Sequence, residues 1–328
     1  MNEKTINRFI KDRKYYKLSS LFKVYRPKYN LSNITPPFDT ILNHHFIYTK
    51  ERTFLASIDV LKSCYALFQE DADSHYVFKF VINNCLNELQ TEDEIKSLIK
   101  ILQEIYKNIY TKHWITNVLL SLYFKIKNYE LAYNFLQITS NTRSNKKDFY
   151  IYNLYKGLLL LYKEDIEGSS ECLRISYRCK KIRKSSFFIF FIISLISNRM
   201  LTDNQIKKYG DIRCKNIKES IQFGLISRLD EDMHNLEDVF VSYNINNICK
   251  TYLPLICFSN LIRRLFEMFN EDYKLNLNYL VECLDIQYED IISMICSVID
   301  CNLVKGYISI NKNVMVFSKK NPFPMSFN

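Results

Sequence analysis

Twelve basic residues crowd into positions 172–218, opposed there only by Asp203 and Asp211, and their excess equals the +10 net charge of the whole chain. Six of them, Arg174, Arg178, Lys180, Lys181, Arg183 and Lys184, fall within eleven positions. Guanidinium and ammonium groups packed this closely neutralise phosphates and gain affinity from counterion release. Arg174, Arg178 and Lys181 are spaced i, i+4, i+7, which a continuing helix displays as one ridge. The same spacing also suits a solvated helix face, or a face that docks an acidic protein.

A second set of cations lies near the C-terminal end, at Lys305, Lys312, Lys319 and Lys320, on a stretch that reads as β. Ile308 and Ile310 alternate with a polar residue, and Val314 and Val316 flank Met315. Asn311-Lys312-Asn313 between them suits a tight hairpin turn, because Asn tolerates left-handed backbone. Upstream, Ile291, Ile292, Ile295, Val298 and Ile299 fall on one helical face over residues 288–301. Helix, Gly306, hairpin and basic tail together make the end of a winged helix. From residue 275 to 304 there is no Lys or Arg, while Glu282, Asp285, Glu289, Asp290 and Asp300 occur. The helix that would enter a major groove therefore shows phosphate a repelling face, Glu289, Ser293, Ser297 and Asp300. Any nucleic-acid contact in this domain falls to the four wing and tail lysines. A hairpin edge also offers unpaired backbone groups to a partner. Tyr307, Ile308, Ile310, Val314, Val316 and Phe317 are the candidates for that contact, with half of them expected to face inward.

Elements able to position these groups are helical almost throughout. Hydrophobic residues make up 48% of the 328-residue chain, enough for a large core. Residues 1–50 read as a basic segment and linker, with Lys and Arg in excess over residues 1–30, prolines at 27, 36 and 37, and a loop running to about residue 48. Residues 51–254 read as a helical-repeat body, with helices expected at 93–106, 114–126 and 129–138. The segments 128–136 and 166–173 each place a small residue one turn before an apolar pair, and the 37-residue offset between them is close to the period of tetratricopeptide-like helical pairs. Residues 255–324 read as the winged helix, with helices at 255–269, 275–284 and 288–301, and 325–328 as a tail. The fold class is mainly α: a stack of helical hairpins ending in a winged helix with a small β-hairpin.

No constellation for catalysis is present. The closest two of the five glycines stand 11 positions apart, which rules against phosphate-cradling loops and dinucleotide fingerprints. The ten cysteines include no C-x-x-C pair, and no H-E-x-x-H or G-x-S-x-G occurs. His44-His45 reads as exposed polar filler on a loop, and most cysteines read as reduced core thiols. Acid clusters such as Asp71/Asp73 and Glu92/Asp93/Glu94 suit helix starts, where they favour the helix dipole. No cofactor is expected and no enzymatic role. The first 16 residues are polar and basic, unlike a signal peptide. The longest apolar run, residues 187–196, is well short of the roughly 20 residues that span a bilayer, and it reads as a buried helix. No membrane partner is expected.

The wording of two stretches resembles the PCI-domain proteins, the helical-repeat and winged-helix subunits of the proteasome lid, the signalosome and the translation-initiation scaffold. One stretch is Lys305-Gly306-Tyr307-Ile308-Ser309 with Ser318-Lys319-Lys320-Asn321-Pro322-Phe323-Pro324. The other is residues 172–184, the apolar run 187–196, then Asn198-Arg199-Met200-Leu201-Thr202 and Ile206-Lys207-Lys208-Tyr209. Together they resemble a branch that holds the PCI subunit of the nuclear transcription-and-mRNA-export complex and a signalosome-associated relative. The resemblance covers roughly residues 148–324. It implies a non-catalytic nuclear scaffold that binds a larger PCI-bearing scaffold protein through winged helices. It further implies a small, acidic, disordered peptide along the repeats, RNA or DNA on the joint surface, and some presence in the cytoplasm. The alternative it leaves open is a protein-only subunit of a signalosome, proteasome-lid or initiation-factor-like assembly.

Overall fold

Periodic apolar residues dictate helices, and the structure, a computed structural model, builds them in two units, residues 1–142 and 143–328. It describes residues 3–18, 31–70, 75–107, 113–139, 146–184, 186–197, 199, 201–269 and 273–324. Four sequence expectations therefore lie wholly or partly outside the described residues: the basic stretch 19–30, Asp71 and Asp73, positions 198 and 200 of the family-like segment, and the tail 325–328.

The first unit holds α1 (Glu3–Lys11), α2 (Tyr15–Leu18), α3 (Phe38–Glu51), α4 (Phe54–Glu70), α5 (His75–Asn87), α6 (Glu92–Lys107), α7 (His113–Lys125) and α8 (Tyr129–Ile138). α6 starts on a reciprocal cap. Glu94 Oε2 accepts from the backbone N–H of Thr91 at 3.0 Å, and Thr91 Oγ1 accepts from that of Glu94 at 3.3 Å. α3 corrects the expected loop to residue 48. Phe38, Ile41, Leu42, His45 and Tyr48 form one buried helical face, which the polar neighbours and the two prolines ahead of it conceal. His44 and His45 are thus helical, not loop filler. His45 is 1% exposed, and His44 Nδ1 lies 2.5 Å from Ser63 Oγ on α4.

The second unit continues with α9 (Lys146–Tyr162), α10 (Ile166–Tyr177), α11 (Phe187–Ile196), α12 (Asp203–Tyr209), α13 (Ile212–Phe223), α14 (Ile226–His234), α15 (Glu237–Ser242) and α16 (Asn246–Met268). After α16 come β1 (Lys274–Asn276), α17 (Leu277–Leu284), α18 (Tyr288–Asp300), β2 (Gly306–Ser309) and β3 (Val314–Phe317). Its core runs from Leu161 to Phe323 and takes in most of α11, as the apolar run requires.

The helical hairpins share one turn. Lys127, Glu164 and Asn244 each adopt left-handed φ, and the next residue sends its N–H back five positions, as in Asp165 to Leu160 at 3.0 Å. The side chains of Asn128 and Asp165 then accept from the N–H groups of Leu131 and Gly168, capping α8 and α10. The caps are 37 positions apart, the offset seen in the sequence. Ala132, Phe135 and Leu136 on α8 are buried, and so are their counterparts Ser169, Cys172 and Leu173 on α10. Close approach has a direct reading at Gly157 of α9, where an added Cβ would stand 2.7 Å from Leu173. Gly224 ends α13 with φ +68°, and an added Cβ would stand 2.6 Å from the Cα of Leu261 on α16. The last carbonyls of α13 are met from α16: Asn260 Nδ2 donates to Ile221 O at 2.9 Å and Arg264 to Phe223 O at 2.8 Å.

α16 begins at Asn246, not at residue 255, and it runs through Pro254. Cys249, Leu253, Ile256 and Cys257 are buried on both sides of that proline, so packing outweighs the missing N–H. The expected helix from residue 275 also starts late. Lys274–Asn276 forms β1, and the Asn276 side chain caps α17 by accepting from Asn278 N at 3.0 Å. The cysteines divide. Cys64, Cys85, Cys172, Cys214, Cys249 and Cys257 are buried, whereas Cys283, Cys296 and Cys301 of the terminal domain are exposed. Among the described residues, no helix is long and apolar enough to cross a membrane.

Candidate nucleic-acid and partner interfaces

The basic ridge does not continue as a helix. α10 stops at Tyr177, and residues 178–184 follow in a run of turns, with Ile182 N donating to Cys179 O at 3.2 Å and Ser186 N to Ile182 O at 2.9 Å. Arg183 explains the stop. Its Nε donates to Tyr177 O at 2.9 Å and one terminal nitrogen donates to Arg178 O at 3.2 Å. These are carbonyls at the negative end of α10, which a cation both caps and neutralises. Its other terminal nitrogen donates to the hydroxyl of Tyr209 on α12 at 3.3 Å. The guanidinium also stands 5.1 Å from the Tyr177 ring centre and 5.8 Å from that of Tyr209.

Arg183 is therefore a structural cation rather than a free phosphate ligand. Arg174, Arg178, Lys180, Lys181 and Lys184 are exposed. The link to Tyr209 brings Lys207 and Lys208 of α12 to the same place. These two were part of the basic run but not of the six-residue candidate set, and the signal that joins them is Tyr209 beside Arg183. Hydrogen bonding from Arg183 and the nearby Lys208 charge hold the Tyr209 hydroxyl below the ordinary tyrosine value. Burial pushes the hydroxyl of Tyr177 upward. Arg213 and Lys218 of the run are occupied. Arg213 is paired with Asp211 at 2.9 Å and with Asp238 at 3.0 Å, and Lys218 with Asp203 at 2.6 Å.

In the terminal domain the sheet order is β1-β3-β2, antiparallel throughout. β3 is thus the central strand, and only β1 and β2 have a free edge among the described residues. This corrects the expectation that Val314 and Val316 stand on an edge. Register puts Tyr307 opposite Val316 and Val316 opposite Lys274, so these three form a row on one face. Met315, Phe317 and Leu275 are buried on the other face, with Ile308 packed partly against them. Phe317 is 3% exposed, its ring 4.9 Å from that of Phe266, and it belongs to the core and not to a partner surface. Tyr307 at 63% and Ile310 at 65% exposure are the prominent apolar groups outside.

The wing lysines separate. Lys305 precedes β2 and Lys319 and Lys320 follow β3, so the three share one end of the sheet, whereas Lys312 sits in the turn at the other end. All four are exposed. On α18, Ile291, Ile295 and Val298 are buried, and Glu289, Asp290, Ser293 and Asp300 face outward. Among the described residues no group of three His, Cys, Asp or Glu could hold a metal ion.

Part of the sequence is shared by known proteins. PCI domain-containing protein 2 of Danio rerio is 23% identical over 234 residues, covering 65% of this chain and 58% of the relative. The proteins of the same name from Xenopus laevis, 23% identical over 235 residues, and its homologue from Dictyostelium discoideum, 22% over 227, cover 65% and 64% of the chain. It is a relative of the PCI-domain proteins. The chain spans 58% of the length of the first two of these relatives and 52% of the third. No family model matches it. The winged helix presents an acidic helix and a lysine-bearing sheet end, and Lys180, Lys181, Lys184, Lys207 and Lys208 flank the Arg183–Tyr209 contact.

Proposed function

We propose that the chain is a non-catalytic PCI scaffold subunit of a nuclear complex that couples transcription to mRNA export. It binds a larger PCI-bearing scaffold protein through its winged helix, carries a small acidic disordered peptide on its repeats, and contacts RNA or DNA through the basic surface. The observation that carries the nucleic-acid part is the junction of α10 and α12. Lys180, Lys181, Lys184, Lys207 and Lys208 meet there around a pinned arginine, a concentration that a purely protein-binding scaffold does not need. Tyr307, Ile310 and the open edge of β2 supply the partner surface.

A second reading, a protein-only subunit of a signalosome, proteasome-lid or initiation-factor-like assembly, is favoured by the acidic outer face of α18, which repels phosphate. Binding of the full chain to a fluorescein-labelled single-stranded RNA, measured between about 50 and 200 mM salt, separates the two. The export reading expects tight, salt-dependent binding. Reversal of Lys180, Lys181, Lys207 and Lys208 to Glu then flattens the log–log salt slope by about 0.7 for each phosphate no longer neutralised. Affinity that is unchanged by the reversal removes the nucleic-acid role and leaves a docking face for an acidic protein. Proteins co-purified from native cells identify the assembly in either case.

A further inference from the structure

Away from the basic surface, α14, α15 and α16 enclose a cleft of about 240 Å³. Two helical ridges make its walls. One carries Asp230, Met233 and His234, spaced i, i+3, i+4 on α14, with Glu237 following at the start of α15; the other carries Asn246, Lys250 and Pro254, spaced i, i+4, i+8 on α16. Phe240 joins them, and it and Met233 are buried. The cleft is smaller than the roughly 300 Å³ at which small-molecule pockets begin, but it is ample for one long side chain.

Two of its polar groups are acceptors without a donor. Asn246 Oδ1 is buried and accepts no hydrogen bond from the described residues. Pro254 has no N–H, so the carbonyl of Lys250 lacks its helical donor. Glu237 is engaged, 3.4 Å from Lys250 Nζ through one oxygen and 3.4 Å from His234 Nδ1 through the other. Asp230 is exposed and makes no ion pair among the described residues. Asp230 and Glu237 set two carboxylates against the one ammonium of Lys250. A guest must therefore bring donors, one positive charge and an apolar stem.

We propose that this cleft receives the lysine or arginine side chain of a peptide from a partner protein. The stem lies along Met233, Phe240 and Pro254, and the cationic head meets Asp230 and Asn246 Oδ1. A basic side chain carries one charge on an apolar stem, whereas a free diamine would press its second charge against the apolar wall.

The test uses the full chain labelled with ¹³C at methionine methyl groups, with the Met233 resonance assigned by its loss in Met233→Leu. Titration with acetyl-Gly-Lys-Gly-amide is expected to move the Met233 signal saturably, and the norleucine peptide to leave it in place. Asp230→Asn, at an exposed position that leaves the melting temperature unchanged, is expected to weaken the lysine peptide about tenfold. The proposal is overturned by a Met233 signal that ignores the lysine peptide, by equal shifts from the norleucine peptide, or by undiminished affinity in Asp230→Asn. Cadaverine binding as tightly as the peptide would also overturn it, by making the cleft a polyamine site.

Discussion

Arg183 and Tyr209, 26 positions apart, join at 3.3 Å between guanidinium and hydroxyl. With the Tyr209 ring packed near Tyr177 and Phe187, this contact ties the turns after α10 to α12 and sets the Lys180–Lys184 cations beside Lys207 and Lys208. Because Arg183 also donates to two carbonyls at the end of α10, its loss uncaps a helix and releases the second basic segment together. Arg183→Gln is expected to cost about 2 kcal/mol, or roughly 4–8 °C in melting temperature. Lys180→Gln, which removes an exposed cation, leaves the melt unchanged. Thermal denaturation of both variants beside their RNA titrations checks this. An unaltered melt with weakened RNA binding in Arg183→Gln would make Arg183 a phosphate ligand after all.

How far the sequence discloses such relations depends on their range. α6, α7, α8 and α11 are legible because their apolar period lies within each segment, and the 37-residue offset of α8 and α10 survives as matching caps at Asn128 and Asp165. α3 is not legible, since its buried face counts His45 among Ile41, Leu42 and Tyr48. β1 has three residues, too few for alternation to show, and it exists by pairing with β3. That pairing makes β3 central and takes Val314, Val316 and Phe317 off the edge. The end of α10 is equally hidden, because what stops it is an arginine whose second partner lies on another helix. The charge of the basic surface could be read from composition, but which of its cations are free could not.

Tyr48 of α3 illustrates a contact whose effect depends on pH. Its hydroxyl donates to Glu88 Oε1, just past the end of α5, at 2.7 Å. Burial first, and then Glu88, push it up to about 12. The unfolded tyrosine ionises near 10, so its stabilisation is complete below pH 10 and is lost as pH climbs from about 10 to about 12. Against Tyr48→Phe, which has no proton to lose, the wild-type chain is expected to forfeit about 2 kcal/mol of additional stability across that interval. Urea unfolding of both at stepped alkaline pH measures it. Parallel curves for the two proteins would show that the hydroxyl titrates as in the unfolded chain.

The Pro322-Phe323-Pro324 segment, too short to fold alone, closes the winged helix from outside. Phe323 is 9% exposed, its ring 5.5 Å from Phe266 on α16 and 5.7 Å from Phe317 on β3. Pro322 O accepts from Lys305 N at 2.7 Å, just ahead of β2. Aromatic packing and a backbone bond thus fasten both ends of the hairpin to α16, at the sheet end that carries Lys305, Lys319 and Lys320. Phe323→Ala is expected to cost about 3 kcal/mol through lost burial and the cavity it leaves, and Phe323→Leu about 1 kcal/mol. Truncation after Ser318 is expected to destabilise at least as much as Phe323→Ala, since it removes the acceptor on Pro322 as well. Melting followed by circular dichroism ranks the three. A truncated chain that melts with the wild type would mean that the segment rests on the domain without holding it.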